Sequence, residues 1–355
     1  MATTDCHYEA VHQIAASFVA RDDRFSVLAL IIDWTIYLGA VVSAIVADEI
    51  WLKLPAAVIA GTAISMLFIL GHDAAHKSLV SSQAANAILG RILFLPCLHN
   101  YSLWVIQHNR LHHQATNIRN LNSYSPRSPE EFQDMPPWRQ WRERLYRSFA
   151  GFGLYYLIER WWKDKFFPRK HLSRKSRSSA WLDFVVVISW PVCFAVALYA
   201  ILGGGDAFAP AMLWGFVVPF LVWNQLMGLT AFLQHTNPKV PWFRSLEESR
   251  GNKTQAELTV LVQYPSWYDV LSHNIMQHQA HHINARIPWY KLKAAQHKFT
   301  ELLGDSVATE RMSLRYVLRL TRMCQLYDYE RNRWLSFAGQ PTYEEKPLPL
   351  TAVAS

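Results

Sequence analysis

The run FSVLALIIDWTIYLGAVVSAIVA, residues 25–47, decides the fold class. At a rise of about 1.5 Å per residue, a helix of this length crosses the roughly 30 Å hydrocarbon core of a bilayer. Its one charged residue, Asp33, is tolerated there only where it faces protein or water, and a hydrogen bond between packed helices is the expected role. Working outward, residues 54–71, 181–202 and 207–233 form three more apolar runs, the last containing Asn224. Very short connectors, DEIWLK and GGGD, join the runs in pairs. The expectation is an all-α integral membrane protein with about four spans in two helical hairpins, and with polar helical segments outside them. Residues 1–24 then form an amino-terminal segment, 25–295 a membrane domain and 296–355 a carboxy-terminal segment.

Charge sets the expected orientation. Residues 1–24 carry Asp5, Glu9, Arg21, Asp22, Asp23 and Arg24 with no apolar run before a small-residue cleavage site, so no secretory signal is expected. Fifteen Lys and Arg residues lie in 107–180, whereas the connectors on the other side offer only Lys53. By the positive-inside rule the long segment and both termini are cytoplasmic, as in a bacterial inner membrane. The net charge of +8 is then that of basic membrane flanks facing anionic lipid, with no nucleic acid required.

Between the hairpins, residues 84–106 are apolar but broken by Arg91, Pro96, His99 and Asn100, which suits a re-entrant or interface-lying helix. The stretch LYYLIERWW, residues 154–162, reads as an aromatic interfacial anchor. Residues 122–137 hold four prolines and read as a loop, and residues 340–355 as a disordered tail. Cys6, Cys97, Cys193 and Cys324 are far apart and form no CxxC pair, which excludes a disulfide framework or thiolate metal site as the expectation.

The chemistry is carried by histidine. Of fifteen, eight fall in three tight groups: His72 and His76 in GHDAAH, His108, His112 and His113 in QHNRLHH, and His278, His281 and His282 in QHQAHH. Residues three or four apart share a helix face, so His72 with His76, His108 with His112, and His278 with His281 are each expected to aim at one point. Neighbours such as His112 and His113 diverge by about a hundred degrees, which suits two adjacent ions. Eight imidazoles also exceed what one ion can use, and imidazole ligates iron, zinc and copper alike. His235 ends the fourth span at the same membrane face and is a further candidate ligand. Asp73 and His273 are candidates for orienting a ligating ring, with backbone capping the alternative for Asp73. The isolated His7, His12, His99, His171 and His297 are expected to be ordinary interface residues.

These boxes resemble those of the membrane fatty-acid desaturase and alkane hydroxylase superfamily, whose pattern is HxxxH, HxxHH or HxxxHH, and HxxHH. The segments GHDAAHKSL, FLQHTNPKVPWF (232–243) and HHINARIPWYKL (281–292) are similar to the acyl-lipid, omega-6 type branch. The resemblance spans residues 30–295. It implies two non-haem irons on the eight box histidines, with His235 as the additional ligand between boxes two and three. It implies O2 as co-substrate, a fatty acid or acyl-lipid as substrate, and electrons from a separate ferredoxin, rubredoxin or cytochrome b5 type donor with its reductase. The second box departs from many acyl-lipid desaturases, having three residues between His108 and His112 as in alkane hydroxylases. Double-bond formation is the expected reaction. Hydroxylation, acetylenic bond formation and oxidative decarboxylation to a 1-alkene are sister outcomes of the same centre. A histidine-rich metal transporter or receptor is the alternative of another class; it would place its ligands near the bilayer midplane rather than at span ends.

Overall fold

The computed structural model describes residues 2–168, 172–249, 255–304 and 307–343, with side chains from residue 9 onward. His7, His171 and Cys6 thus lie outside the described side chains, and most of the expected tail lies outside the described residues. Two compact units are present: Arg21–Ile106 with Gly153–Gly228, and Met1–Ala20 with Gln107–Phe152 and Leu229–Ser355.

The first unit holds three of the membrane-length helices and the fourth as far as Gly228. Four helices have the length and apolarity to cross a membrane: Asp23–Val46, Ile50–Ala75, Arg174–Leu202 and Gly205–His235. The expected four are therefore present, each longer than its apolar run because polar turns extend the helix beyond the hydrocarbon-length core. Asp22 accepts from the Arg24 N–H and caps the first. The second and fourth approach closely at Gly61, where a Cβ would stand 2.7 Å from the Pro219 carbonyl oxygen; only a glycine permits that approach. Asp33 is fully buried, and Asn224 is buried with its amide donating to Phe220 O one turn back.

Residues 84–106 form no helix long enough to cross a membrane. They form an 11-residue helix, Gln83–Leu93, capped by Ser82, and a short one, Tyr101–Val105, capped by Asn100. Eleven residues reach only about 16 Å, half the hydrocarbon core. The segment is pinned to the third span instead: Arg91 Nε donates to Asp183 Oδ1 at 2.7 Å, the Ser102 N–H to Asp183 Oδ2 at 2.7 Å, and Asn100 Nδ2 to Ala180 O at 2.7 Å. The expected anchor at 154–162 is a correction. It lies in a π-helix, Tyr156–Phe166, in which Tyr156 and Trp161 are buried, and Trp161 Nε1 donates to Leu98 O at 2.8 Å. Those rings serve packing, and only Trp162 of the pair remains exposed.

The second unit is a helical body with two small strand pairs: Val260–Gln263 parallel to Ala308–Arg311, and Leu326–Asp328 antiparallel to Arg333–Leu335. Its core holds fully buried Trp242, Trp334, Tyr327 and Phe299. The proline-rich 122–137 stretch is not wholly loop. Ser128 and Glu131 form a reciprocal capping box that starts the helix Pro129–Gln133, with Pro129 in the first turn where a missing N–H is harmless. Nor is the chain loose from residue 340: Pro341 bridges to Leu335, and Thr342 Oγ1 donates to Met323 O at 2.6 Å.

Candidate metal centre

Local helix geometry decides which histidines meet. Residues Ile106–His112 form a π-helix, and the turn is closed by the His113 N–H bonding to His108 O at 3.1 Å. A π-turn places residues five apart over one another. His108 therefore pairs with His113, their Nε2 atoms 3.1 Å apart, rather than with His112 as the α-helical spacing predicts. His112 turns to the other side. The third box lies in a regular α-helix, His278–Ile283, whose four-residue spacing groups His278 with His282 and leaves His281 on the adjacent face. The expected pairing of His278 with His281 is corrected for the same reason.

Two groups of imidazoles result within this unit. His112, His235, His278 and His282 each offer a ring nitrogen within 4.8 Å of the others. Nε2 of His235 stands 3.0 Å from that of His278, and Nε2 of His282 stands 3.1 Å from that of His112. In the other group His113 Nε2 lies 3.1 Å from His108 Nε2 and 3.0 Å from His281 Nε2. The groups abut, the His113 and His282 rings stacking at 4.5 Å. The divergence of the adjacent His112 and His113 into separate groups is the arrangement expected from their sequence positions.

The donor set fits metal. Ligand nitrogens about 2.1 Å from an ion stand about 3.0 Å apart across a right angle and about 3.4 Å apart across a tetrahedral one. The Nε2 separations match the right-angle edge. Seven imidazoles also exceed the six positions of one octahedral ion. His282 is held well below the ordinary imidazole range, first by burial and then by His278, His113, His112 and His235 around it, so it offers a lone pair at neutral pH.

The remaining first-box residues belong to the span unit. His72 ends the second span's last turn and His76 caps it, with ring centroids 4.7 Å apart. Gly71 lets that end settle on Phe94, whose ring carbons would stand 2.6 Å from a Cβ there. Asp73 is fully buried; Oδ1 lies 3.4 Å from His72 Nδ1, while its main-chain oxygen accepts from the N–H and hydroxyl of Ser78. The side-chain contact is with His72, while the bonds from Ser78 are made by the main chain and not by the carboxylate. His273 packs its ring on Trp289 at 4.6 Å in a left-handed backbone conformation, which gives it a packing role.

Sequence reasoning missed the amides that set the third box. Gln279 is fully buried and donates to Thr259 O, just before the first parallel strand, and to Ala308 O in the second, tying the His278–Ile283 helix to both. Gln296 donates to Gln279 Oε1 at 3.1 Å and accepts from the Ala280 N–H at 2.9 Å. Asn117, five residues beyond His112, donates to Pro241 O and Leu258 O. Each partner is distant in sequence, so nothing local signals it. Trp242, in the segment after His235, is fully buried and its main-chain N–H donates to Tyr327 Oη at 3.2 Å, so this residue is scaffold.

Four membrane-length helices and a largely buried polyhistidine cluster suited to metal define the class: a membrane metalloprotein. Residues 49–313 match the family model for fatty acid desaturases, and the chain belongs to that family. It is 29% identical over 308 residues to the chloroplastic omega-6 fatty acid desaturase of Arabidopsis thaliana, covering 85% of this chain and 65% of that protein. The corresponding Spinacia oleracea enzyme is 28% identical over 310 residues, covering 86% and 66%. The sn-1 oleoyl-lipid 12-desaturase of a Picosynechococcus strain is 30% identical over 299 residues, covering 81% and 80%. The chain thus spans about two thirds of the length of these plant relatives.

Proposed function

We propose that this protein introduces a double bond into a fatty acyl chain, using O2 and two irons held by histidine. The observation that carries the reading is the convergence of seven imidazoles into two abutting groups with right-angle spacing. One ion takes His112, His235, His278 and His282. The second takes His108, His113 and His281, with His72 and His76 completing it; for those two the support is the family pattern of the first box.

When bound, iron supplies the reductive activation of O2 that an unactivated methylene demands and that no side chain provides. The overall change converts –CH2–CH2–, O2, two electrons and two protons into –CH=CH– and two waters. The chain's own residues supply the imidazoles, with His282 held unprotonated at neutral pH, on a helix clamped by Gln279 and Gln296. Electrons arrive from a separate redox protein of ferredoxin, rubredoxin or cytochrome b5 type. The basic 107–180 segment favours a cytoplasmic site and cytoplasmic termini.

Gas chromatography with mass spectrometry of fatty acids and volatile hydrocarbons from bacteria expressing wild type or His112→Ala tests the reading. A new double bond in the wild type alone supports it. Only a hydroxy acid or terminal alkene would assign a sister reaction, and zinc in place of about two irons per chain would exclude this chemistry.

A further inference from the structure

Lys165 stands near the end of the π-helix Tyr156–Phe166, and 7% of it is exposed. Its ammonium lies over two ring faces, 5.6 Å from the Trp104 centroid and 5.9 Å from that of Tyr156. None of the described residues gives it a hydrogen-bond acceptor. The adjacent carboxylate, Asp164, is engaged by Arg160 at 2.7 Å. His99 Nδ1 must donate to Cys97 O at 2.9 Å, so its Nε2 accepts the Tyr156 hydroxyl proton at 2.9 Å. The polar groups around Lys165 are thus committed to one another.

Burial, followed by the nearby Arg160 charge, pulls the Lys165 amine down to about 7. Two aromatic faces return only part of what burying an ammonium costs. A methionine would fill the same volume at no such cost, so the charge calls for an anion that arrives with a ligand. Trp104 also shows what lies beyond: its ring packs 5.2 Å from His72 and 6.3 Å from His76. Lys165 and the first-box imidazoles therefore flank one indole.

We propose that Lys165 anchors the oxyanion head group of the acyl ligand, with Trp104 as the wall along which the chain passes toward His72 and His76. The head group is a carboxylate or a lipid phosphate, and in either case the carbons presented to the metal site are counted from the head of the chain. The inference rests on the acyl-chain reading above, and its test reads binding rather than turnover.

The experiment measures equilibrium binding of radiolabelled oleate and oleyl alcohol to the full chain in detergent, comparing wild type, Lys165→Met and Lys165→Arg. Loss of one charged contact predicts oleate binding weakened roughly tenfold or more in Lys165→Met, with oleyl alcohol changed less than about twofold and Lys165→Arg close to wild type for oleate. Dioleoyl phosphatidylglycerol that displaces oleate from the wild type names the phosphate as a source; failure to displace it names the free carboxylate. Unchanged oleate binding in Lys165→Met overturns the proposal, as does an equal loss of oleate and oleyl alcohol, which would mean packing alone. Lys165→Gln repeats the comparison should the methionine variant misfold by gel filtration and metal content. A wild type that binds oleate through Lys165 without oxidising it sinks the desaturation reading and leaves the anchor standing, whereas a wild type that binds neither oleate nor dioleoyl phosphatidylglycerol sinks the anchor.

Discussion

At the scale of single residues, a buried carboxyl ties stability to pH. Glu257 lies in the short turn Gln255–Leu258, is 8% exposed, and its Oε2 has no hydrogen-bond partner among the described residues. Burial raises its carboxyl from 4.5 to about 7. The unfolded chain releases this proton near pH 4.5 while the folded chain keeps it to about 7, so stability falls as pH rises through that window and is level above it. Glu257→Gln removes the ionisation and keeps the shape. Its expected gain at pH 8 is about 1–2 kcal/mol after discounting for water near the turn, or roughly 1–3 °C in melting temperature for a chain of this length. Thermal melts in detergent at pH 5 and pH 8 decide it, since a gain that is the same at both values would rule ionisation out as the cause. Glu257 carried no signal in the sequence, because one glutamate among many is singled out only by what packs over it. The box histidines were legible for the opposite reason, since eight of fifteen crowd into three short groups.

Elements explain both the successes and the errors of sequence reading. Span-length apolar runs leave few alternatives in a bilayer, so four spans are readable. The Ser128 to Glu131 spacing was also readable as a capping box, and the prolines around it obscured that signal. The pairing of His108 was not readable, because periodicity assumes 3.6 residues per turn and the second box is a π-helix. That helix also accounts for the extra residue of this box relative to HxxHH: a π-turn absorbs one inserted residue and still stacks His108 on His113. Deleting Asn109 yields HRLHH, in which a plain α-helix sets those two histidines four apart. The expected result is a folded protein that retains more than half of its metal. Deleting Ala280 from the regular helix His278–Ile283 brings His278 and His282 three apart and should empty the site. Metal analysis of the two purified variants separates the cases; equal loss in both would mean that the π-turn is not an insertion of this kind.

For the whole molecule, the governing facts are the number of crossings and the distribution of charge. Four spans bring the chain back to its starting side, and the two short connectors, at residues 47–49 and 203–204, are the points on the other side. His72 follows directly on the second crossing and His235 on the fourth, while the second box lies between the hairpins and the third after them. The proposed function, which assigns histidines of all three boxes to one side of the membrane, therefore needs an even number of crossings and no extra one in residues 84–106. The 11-residue helix Gln83–Leu93, tied to the third span through Arg91 and Asp183, makes such a crossing too short by half. The proposed orientation rests on fifteen basic residues in 107–180 against Lys53 alone in the short connectors. Reporter fusions test both statements together. Alkaline phosphatase is expected to be active when fused after residue 48 or 204 and inactive after residue 140 or 340, with green fluorescent protein giving the inverse pattern. Phosphatase activity at residue 140 alone would insert a crossing and overturn the proposed four-span topology; full inversion of the pattern would keep the four spans and overturn the proposed cytoplasmic orientation.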